Sequence, residues 1–364
     1  MSAGLPEGTY ARQTWAIVVA AYRELNARKL FWLSLVLSCI IVAAIAGLGL
    51  DEEGITVFGW TFESPFFNAS VVPPATFYKL LFTNLGVEWW LGLGSTVLAL
   101  VSTAGIIPDL VSGGAIDMML SRPIGRGRLF LTKWMTGLLF TSLQVLVFTG
   151  ACFLVIGLRG GSWEPSLFLA VPLVVLFYSY LFVFCALVGL LTRSTVASLL
   201  LTMVFWFLVF GVQSGEALTN WGRTASAMEI ASYETEILHR EAEDPKDPYL
   251  EDLLEERDAQ AADDANWRLA HGIFMGVMAP LPKTGETLDL LERLLVDRSG
   301  IQVAERERRG EGVFGSNRVR NREVRTAIDD QAVQRSLWWT IGTSLVFEGV
   351  MLAACVWIFR RRDF

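Results

Sequence analysis

The sequence predicts an all-α integral membrane protein with six transmembrane helices and a large extracytoplasmic helical insertion between the fifth and the sixth. Two observations carry that prediction. Of 364 residues, 53% are hydrophobic and only 18% charged, with a mean hydropathy of +0.45, whereas a soluble chain carries about 25% charged residues. The charge is also uneven: residues 216–335 hold 16 Lys/Arg and 25 Asp/Glu, and the other 244 residues hold 14 and 12. These figures exclude a soluble globular enzyme with one water-facing surface, a disordered chain and a collagen-like chain. An isoelectric point near 5.1 and the lack of a basic aromatic stripe argue against nucleic-acid binding.

Six runs reach the roughly 20 apolar residues that cross a bilayer. They are Leu30–Leu50, Trp89–Ile107, Trp134–Leu158, Leu167–Leu191, Ser194–Gly215 and Ser336–Phe359. A spanning segment must satisfy its own backbone hydrogen bonds, so each is expected to be a helix. Period-two alternation is missing, which excludes an outer-membrane barrel. Ala44-x-Ala46 resembles a signal-peptide cleavage site, but the apolar run continues to Leu50, so the first run reads as an uncleaved span.

Orientation follows from Lys and Arg in the short connections. Arg12, Arg23, Arg28 and Lys29 precede span one; Arg122, Arg126, Arg128 and Lys133 separate spans two and three; Arg193 follows span four; and Arg360, Arg361 and Arg362 follow span six. The short connections on the opposite side hold only Lys79 and Arg159. Both termini are therefore expected in the cytoplasm and the insertion outside. The chain divides into residues 1–215, the insertion 216–335, and the last span with its basic tail, 336–364.

The connecting segments have characters of their own. In residues 9–28, Trp15, Val18, Val19, Tyr22 and Leu25 fall at helical spacing, opposite Arg12, Gln13, Arg23 and Glu24. That suits a helix lying in the interface, or else a plain extension of span one. In the loop 51–88, residues Ile55, Val57, Phe58, Trp60 and Phe62 predict a hairpin around Gly59, and Pro65, Pro73 and Pro74 interrupt regular structure beyond it. Tyr249–Met278 reads as a helix with an acidic first half. Leu288, Leu291, Leu294 and Leu295 form an apolar stripe, and 304–325 reads as an Arg-rich linker.

Few residues promise chemistry. Glu348 is the one ionisable residue inside a predicted span; it is either a path-lining residue or a structural hydrogen-bonding group. Gln144 and Gln213 are the polar candidates beside it. The only histidines, His239 and His271, lack metal-ligand spacing and read as solvated surface. Cys39, Cys152, Cys185 and Cys355 lie in apolar runs without a CxxC pair and read as buried small hydrophobes. A phosphate-cradling G-x-x-x-x-G-K-[ST] loop does not occur.

The most informative stretch is Asp109–Lys133, between spans two and three. It reads as a short amphipathic helix carrying Ile116, Met119 and Leu120, preceded by Gly113 and Gly114 and stopped by Pro123, with Arg122, Arg126 and Arg128 clustered at its end. On physical grounds it is either a docking knob or a basic loop that holds topology. Here Gly114, Asp117, Leu120, Ser121, Pro123, Arg126 and Lys133 resemble the signature of ABC type-2 permeases. The ending Phe359-Arg-Arg-Arg-Asp-Phe364 is similar to that family's ending. The likeness is nearest to the six-span branch associated with copper-enzyme maturation and gliding permeases; the 120-residue insertion departs from relatives that keep this loop short.

The resemblance implies a permease subunit in a prokaryotic inner membrane that binds no cofactor itself. A second permease chain would pair with it, and a cytoplasmic ATPase would supply ATP and Mg chemistry for transport, with export expected. Gly114, Ile116, Asp117, Leu120, Arg122, Pro123 and Arg126 would then couple to that ATPase. Glu348, Gln144 and Gln213 would line the path. The acidic insertion also allows a scaffold or assembly factor that binds an envelope partner.

Overall fold

The computed structural model describes Val19 and residues 29–63, 73–112, 125–299 and 321–361. The predicted helix over 9–28 lies outside them except for Val19. The chain forms two compact units: Met1–Trp206 with Glu286–Ile301 and Leu345–Phe364, and Phe207–Gly285 with Gln302–Ser344.

Six helices are long and apolar enough to cross a membrane: α1 (Lys29–Gly47), α2 (Pro74–Val111), α3 (Arg126–Arg159), α4 (Pro165–Thr192), α5 (Thr195–Glu243) and α9 (Trp338–Arg361). The chain is thus predominantly helical, and these six helices are compatible with a multi-pass membrane protein. Among the described residues there are three further long helices, α6 (Tyr249–Met278), α7 (Thr284–Ser299) and α8 (Asn321–Gln334). The described residues of the insertion are mainly helical, as expected. The expected linker 304–325 is corrected at its end, where α8 already begins at Asn321.

In the first unit, α3 packs on α1 and α4, and the end of α2 packs on α4. Phe31, Phe130, Phe140, Phe177, Tyr178, Phe182 and Phe359 are among the buried side chains at its centre. At Gly137 the α3 backbone lies against the Phe182 ring of α4, which any Cβ there would strike. Leu290 and Leu291 of α7 are buried, and Leu288 packs against the same core.

Several span boundaries differ from expectation: α3 already begins at Arg126, and α5 continues to Glu243. Leu48–Leu50 leaves the first helix as β1 and pairs antiparallel with β2 (Gly54–Val57), which pairs with β3 (Trp60–Glu63). The predicted hairpin around Gly59 is present, and Phe58 (φ 48°) and Gly59 (φ 93°) form its two-residue turn. Positive φ at both positions matches the twist of the paired strands. The second helix begins at Pro74, well before Trp89, and contains wide π-type turns over Leu81–Ser95.

The second unit is built on a helical hairpin. The 207–243 part of α5 runs antiparallel to α6. Gly215 lies under the Phe274 ring and Gly222 under the Trp267 indole, and a Cβ at either glycine would clash. Two small residues one heptad apart thus receive two large ones, which lets the helices approach closely. Asp247 closes the turn: Oδ1 accepts from the Tyr249 N–H at 3.0 Å, and Oδ2 accepts from Arg240 at 3.0 Å.

Candidate functional site

Inside the first unit, polar side chains are buried in pairs that join different helices. The Trp90 indole N–H of α2 donates to Ser38 Oγ of α1 at 3.0 Å. Gln144 Nε2 of α3 donates to Ser95 Oγ of α2 at 2.5 Å. The hydroxyls of Thr103 in α2 and Tyr178 in α4 meet at 2.5 Å. Ser179 of α4 is close to the buried Glu348 carboxyl group of α9, but its hydroxyl donates to Leu176 O of its own helix at 2.7 Å. In an apolar surrounding such groups must find partners, and each hydrogen-bonded pair ties two helices together.

Two of these groups retain unused capacity. Gln144 and Glu348 are buried, and Gln144 Oε1 and Glu348 Oε2 accept no hydrogen bond among the described residues. Buried acceptors without donors are uncommon, and each calls for an explanation. Gln144 belongs to the α2–α3 pair, and Glu348 of α9 lies beside Ser179 of α4.

Gln213 is placed differently. Its Nε2 donates to Pro282 O at 3.0 Å and approaches Thr284 Oγ1 at 3.2 Å, and its Oε1 accepts from the Gly285 N–H at 3.0 Å. The side chain binds the turn between α6 and α7 with both ends of its amide. The three candidate path residues share no hydrogen bond with one another among the described residues.

Of the candidate coupling residues, Gly114, Ile116, Asp117, Leu120, Arg122 and Pro123 lie outside the described residues. Arg126 opens α3, after Gly125 in an extended conformation (φ −65°, ψ 136°). One residue on, the α3 backbone meets the end of α9: a Cβ at Gly127 would sit 3.3 Å from Val356 and 3.7 Å from Arg360 Nε. The start of α3 and the end of α9 are therefore at one end of the bundle, as the sign of their flanking charges predicts.

The second unit holds a charged cluster that no motif announced. Glu216 is buried, and its Oε1 accepts from Arg335 Nη2 at 2.5 Å with His271 Nδ1 3.8 Å away. Arg223 donates to Asn220 Oδ1 at 2.9 Å. Lys283 is fully buried: Nζ donates to Ala279 O at 2.7 Å and Leu281 O at 3.0 Å, under the Trp339 ring at 4.7 Å. His239 is exposed beside Glu243 as expected, but His271 is not the solvated residue that its surroundings in sequence predict, since its side chain is only 13% exposed. Burial holds its imidazole below the ordinary histidine range, and Arg223 and Arg335 push the same way against Glu216. The helix periodicity of α6 alone does not reveal this, because the packing partners come from α5 and from the segment after α8.

Among the described residues, no three His, Cys, Asp or Glu side chains gather as a metal site. Cys152, Cys185 and Cys355 are buried and unpaired, whereas Cys39 is exposed, a correction to its expected burial. Comparison with protein-family models, with curated proteins and with solved structures gives no match.

Proposed function

We propose that this chain is the permease subunit of an ATP-binding-cassette transporter of the type-2 class, driven by a separate ATPase. The observation that carries the reading is the Asp109–Lys133 segment, with its Gly114, Asp117, Leu120, Ser121, Pro123 and Arg126 pattern, between two membrane-spanning helices. The shared location of the α3 start and the α9 end supports a single basic, cytoplasmic face, and the hairpin of α5 and α6 is then external. ATP binding closes two ATPase subunits, the 111–128 segments of two permease chains carry that motion, and the spans alternate access, in the direction of export from a prokaryotic inner membrane.

The test is co-purification of the full chain in mild detergent from its host. A stoichiometric cytoplasmic ATPase is expected. Replacing Ile116 and Arg126 with Asp is expected to uncouple ATP hydrolysis from transport while the bundle stays folded. Unchanged coupling in that variant overturns the assignment of the segment.

A second reading, a scaffold for an envelope partner, is favoured by one observation: α6 exposes Leu269, Ile273 and Val277 at four-residue spacing. A single such stripe is an interaction face when it lies outside a membrane. Recovery of an envelope protein without an ATPase would favour it.

A further inference from the structure

The three short strands that follow α1 form an amphipathic sheet. Leu48 pairs with Val57 and Val57 with Trp60, while Leu50 pairs with Ile55 and Ile55 with Phe62. Residues directly opposite in an antiparallel ladder share a face, and so do residues two apart on one strand. One face is therefore Leu48, Leu50, Ile55, Val57, Trp60 and Phe62, and the other carries Gly49, Thr56, Thr61 and Glu63. Leu50 is buried, Ile55 and Val57 are half-buried, and Trp60 and Phe62 on the edge strand are exposed, Trp60 by 73%. In water, an exposed apolar edge strand invites pairing with other chains.

This sheet is tied to the end of α1. The Phe58 N–H donates to Gly47 O at 2.8 Å, and a Cβ at Gly47 would strike the Phe58 ring. The Tyr78 hydroxyl donates to Leu48 O at 2.7 Å, and Arg159 Nη1 donates to Ala46 O. The Phe58–Gly59 turn is thus level with the last residue of the helix. The other end of the sheet is acidic. Asp51, Glu52 and Glu53 lie between β1 and β2, Glu63 pairs with Gly54 beside them, and all four carboxylates are exposed.

The length of α1 sets where the turn falls. Its 19 residues extend about 28 Å at 1.5 Å each, close to the roughly 30 Å of a hydrocarbon core. With α1 across that core, Gly47 stands at its boundary. Trp60, in register with Leu48, is one residue farther along the strands, about 3 Å. That is inside the interfacial layer of about 5–7 Å on each side of the core. Glu63 is three residues beyond Trp60, about 10 Å farther out on the water side.

We propose that this hairpin is an interfacial anchor: Phe58 and Trp60 sit at the headgroup level of the bilayer and fix the depth of α1, while the acidic turn stays in water. Tryptophan suits this level because its ring is apolar and its N–H is polar. A lipid surface is the occupant that matches the polarity of the sheet, aromatic where the helix ends and anionic away from it. The inference rests on α1 spanning a membrane. It needs neither a partner ATPase nor a particular side for the hairpin, so it stands or falls separately from the transporter reading.

The experiment uses the full chain in phosphatidylcholine nanodiscs, with Cys39→Ser removing the exposed native thiol; the other three cysteines are buried. A nitroxide label is placed at Trp60→Cys or, separately, at Glu53→Cys, both exposed positions. Power saturation compares collisions with oxygen, which concentrates in lipid, and with a water-soluble nickel chelate. Oxygen is expected to dominate at position 60 and nickel at position 53. The native indole is read separately: the tryptophan emission quenched by chain-brominated phosphatidylcholine should be smaller in Trp60→Phe than in wild type. Nickel-dominated collisions at both positions, or the same quenched emission in Trp60→Phe as in wild type, overturn the proposal. Few collisions with either reagent at position 60 overturn it too, by placing a protein surface, such as a second copy of the chain, on the hairpin.

Discussion

Glu216 and Arg335 meet at 2.5 Å although 119 residues separate them. They are the first and last residues of the acidic insertion that charge counting delimits, so one ion pair closes its neck. Glu216 is 6% exposed, and a carboxylate so placed needs its cation.

Arg335→Gln is therefore expected to destabilise the second unit by about 1.5–3 kcal/mol, the usual worth of a hydrogen bond to a charged group. The measurement is limited proteolysis of the full chain in detergent, with faster cleavage expected between residues 216 and 335. Glu216→Gln should cost less, because it leaves Arg335, which is about a quarter exposed, with access to water. Equal protection of wild type and Arg335→Gln would show that the pair does not close the neck.

His271 makes that neck sensitive to acid. Its folded pKa lies below the ordinary value because of burial first, then Arg223 and Arg335, with Glu216 opposing. As pH falls, the unfolded chain takes up this proton before the folded one. The contribution of neutral His271 is complete above the unfolded value of about 6.5 and is lost as pH falls from there to the folded pKa. Thermal unfolding at pH 7.5 and 5.5 should show a loss of stability in acid that His271→Gln reduces. An undiminished acid dependence in that variant would assign the effect to other groups.

A second ion pair lies within the first unit. Lys79 Nζ lies 2.6 Å from Glu164 Oε1, with Lys79 5% exposed and Ser162 and Ser166 also donating to the carboxylate. The hydrogen bond from Lys79 is the leading reason that the Glu164 carboxyl is held below its usual range, against the effect of burial. Its contribution is present above the ordinary carboxylate pKa and is lost as pH falls through the lowered one. Glu164→Gln is expected to cost about 1.5–3 kcal/mol because it strands a buried ammonium group. Lys79→Met should cost less, since Glu164 keeps two serines and some water. The two melting temperatures, measured in one detergent, decide the order.

The positions of these charges show what the sequence conveyed and what it did not. All six long apolar runs are helical over most of their length, only Leu48–Leu50 of the first being a strand, because a backbone in hydrocarbon has no other partner than itself. Gly59 marked the hairpin, since only a turn with positive φ joins strands so tightly. The helix boundaries were less legible. The run starting at Trp89 was cut at Glu88, yet the helix begins at Pro74, because Lys79 finds Glu164 some 85 residues away and Glu88 sits on an exposed face. Likewise α5 passes through Gly215 without breaking, because Gly215 is the seat of the Phe274 ring. The approach of Gly127 to Arg360 and the neck at Glu216 join residues more than a hundred positions apart, and no local periodicity reports such a meeting.

Glu348 offers the sharpest test of the transporter reading. Its carboxyl group is close to Ser179, while its Oε2 accepts no hydrogen bond among the described residues. A purely structural carboxyl would be expected to use both oxygens, since an unmet buried acceptor costs about 1–3 kcal/mol. Glu348→Gln keeps an amide close to Ser179 and removes the ionisable proton. If the residue lines the path, this variant should melt at or above the wild-type temperature, while ATPase-coupled turnover of the reconstituted complex falls at least about tenfold, the equivalent of 1.4 kcal/mol on the barrier. Glu348→Leu should lose turnover equally. A Glu348→Gln variant with full turnover and lowered stability would assign the residue to helix packing alone. Gln144→Leu serves as the comparison: its Nε2 bond to Ser95 is a structural tie, so stability should fall by about 0.5–1.5 kcal/mol. A loss of turnover in Gln144→Leu out of proportion to that destabilisation would extend the path from Glu348 to the α2–α3 pair.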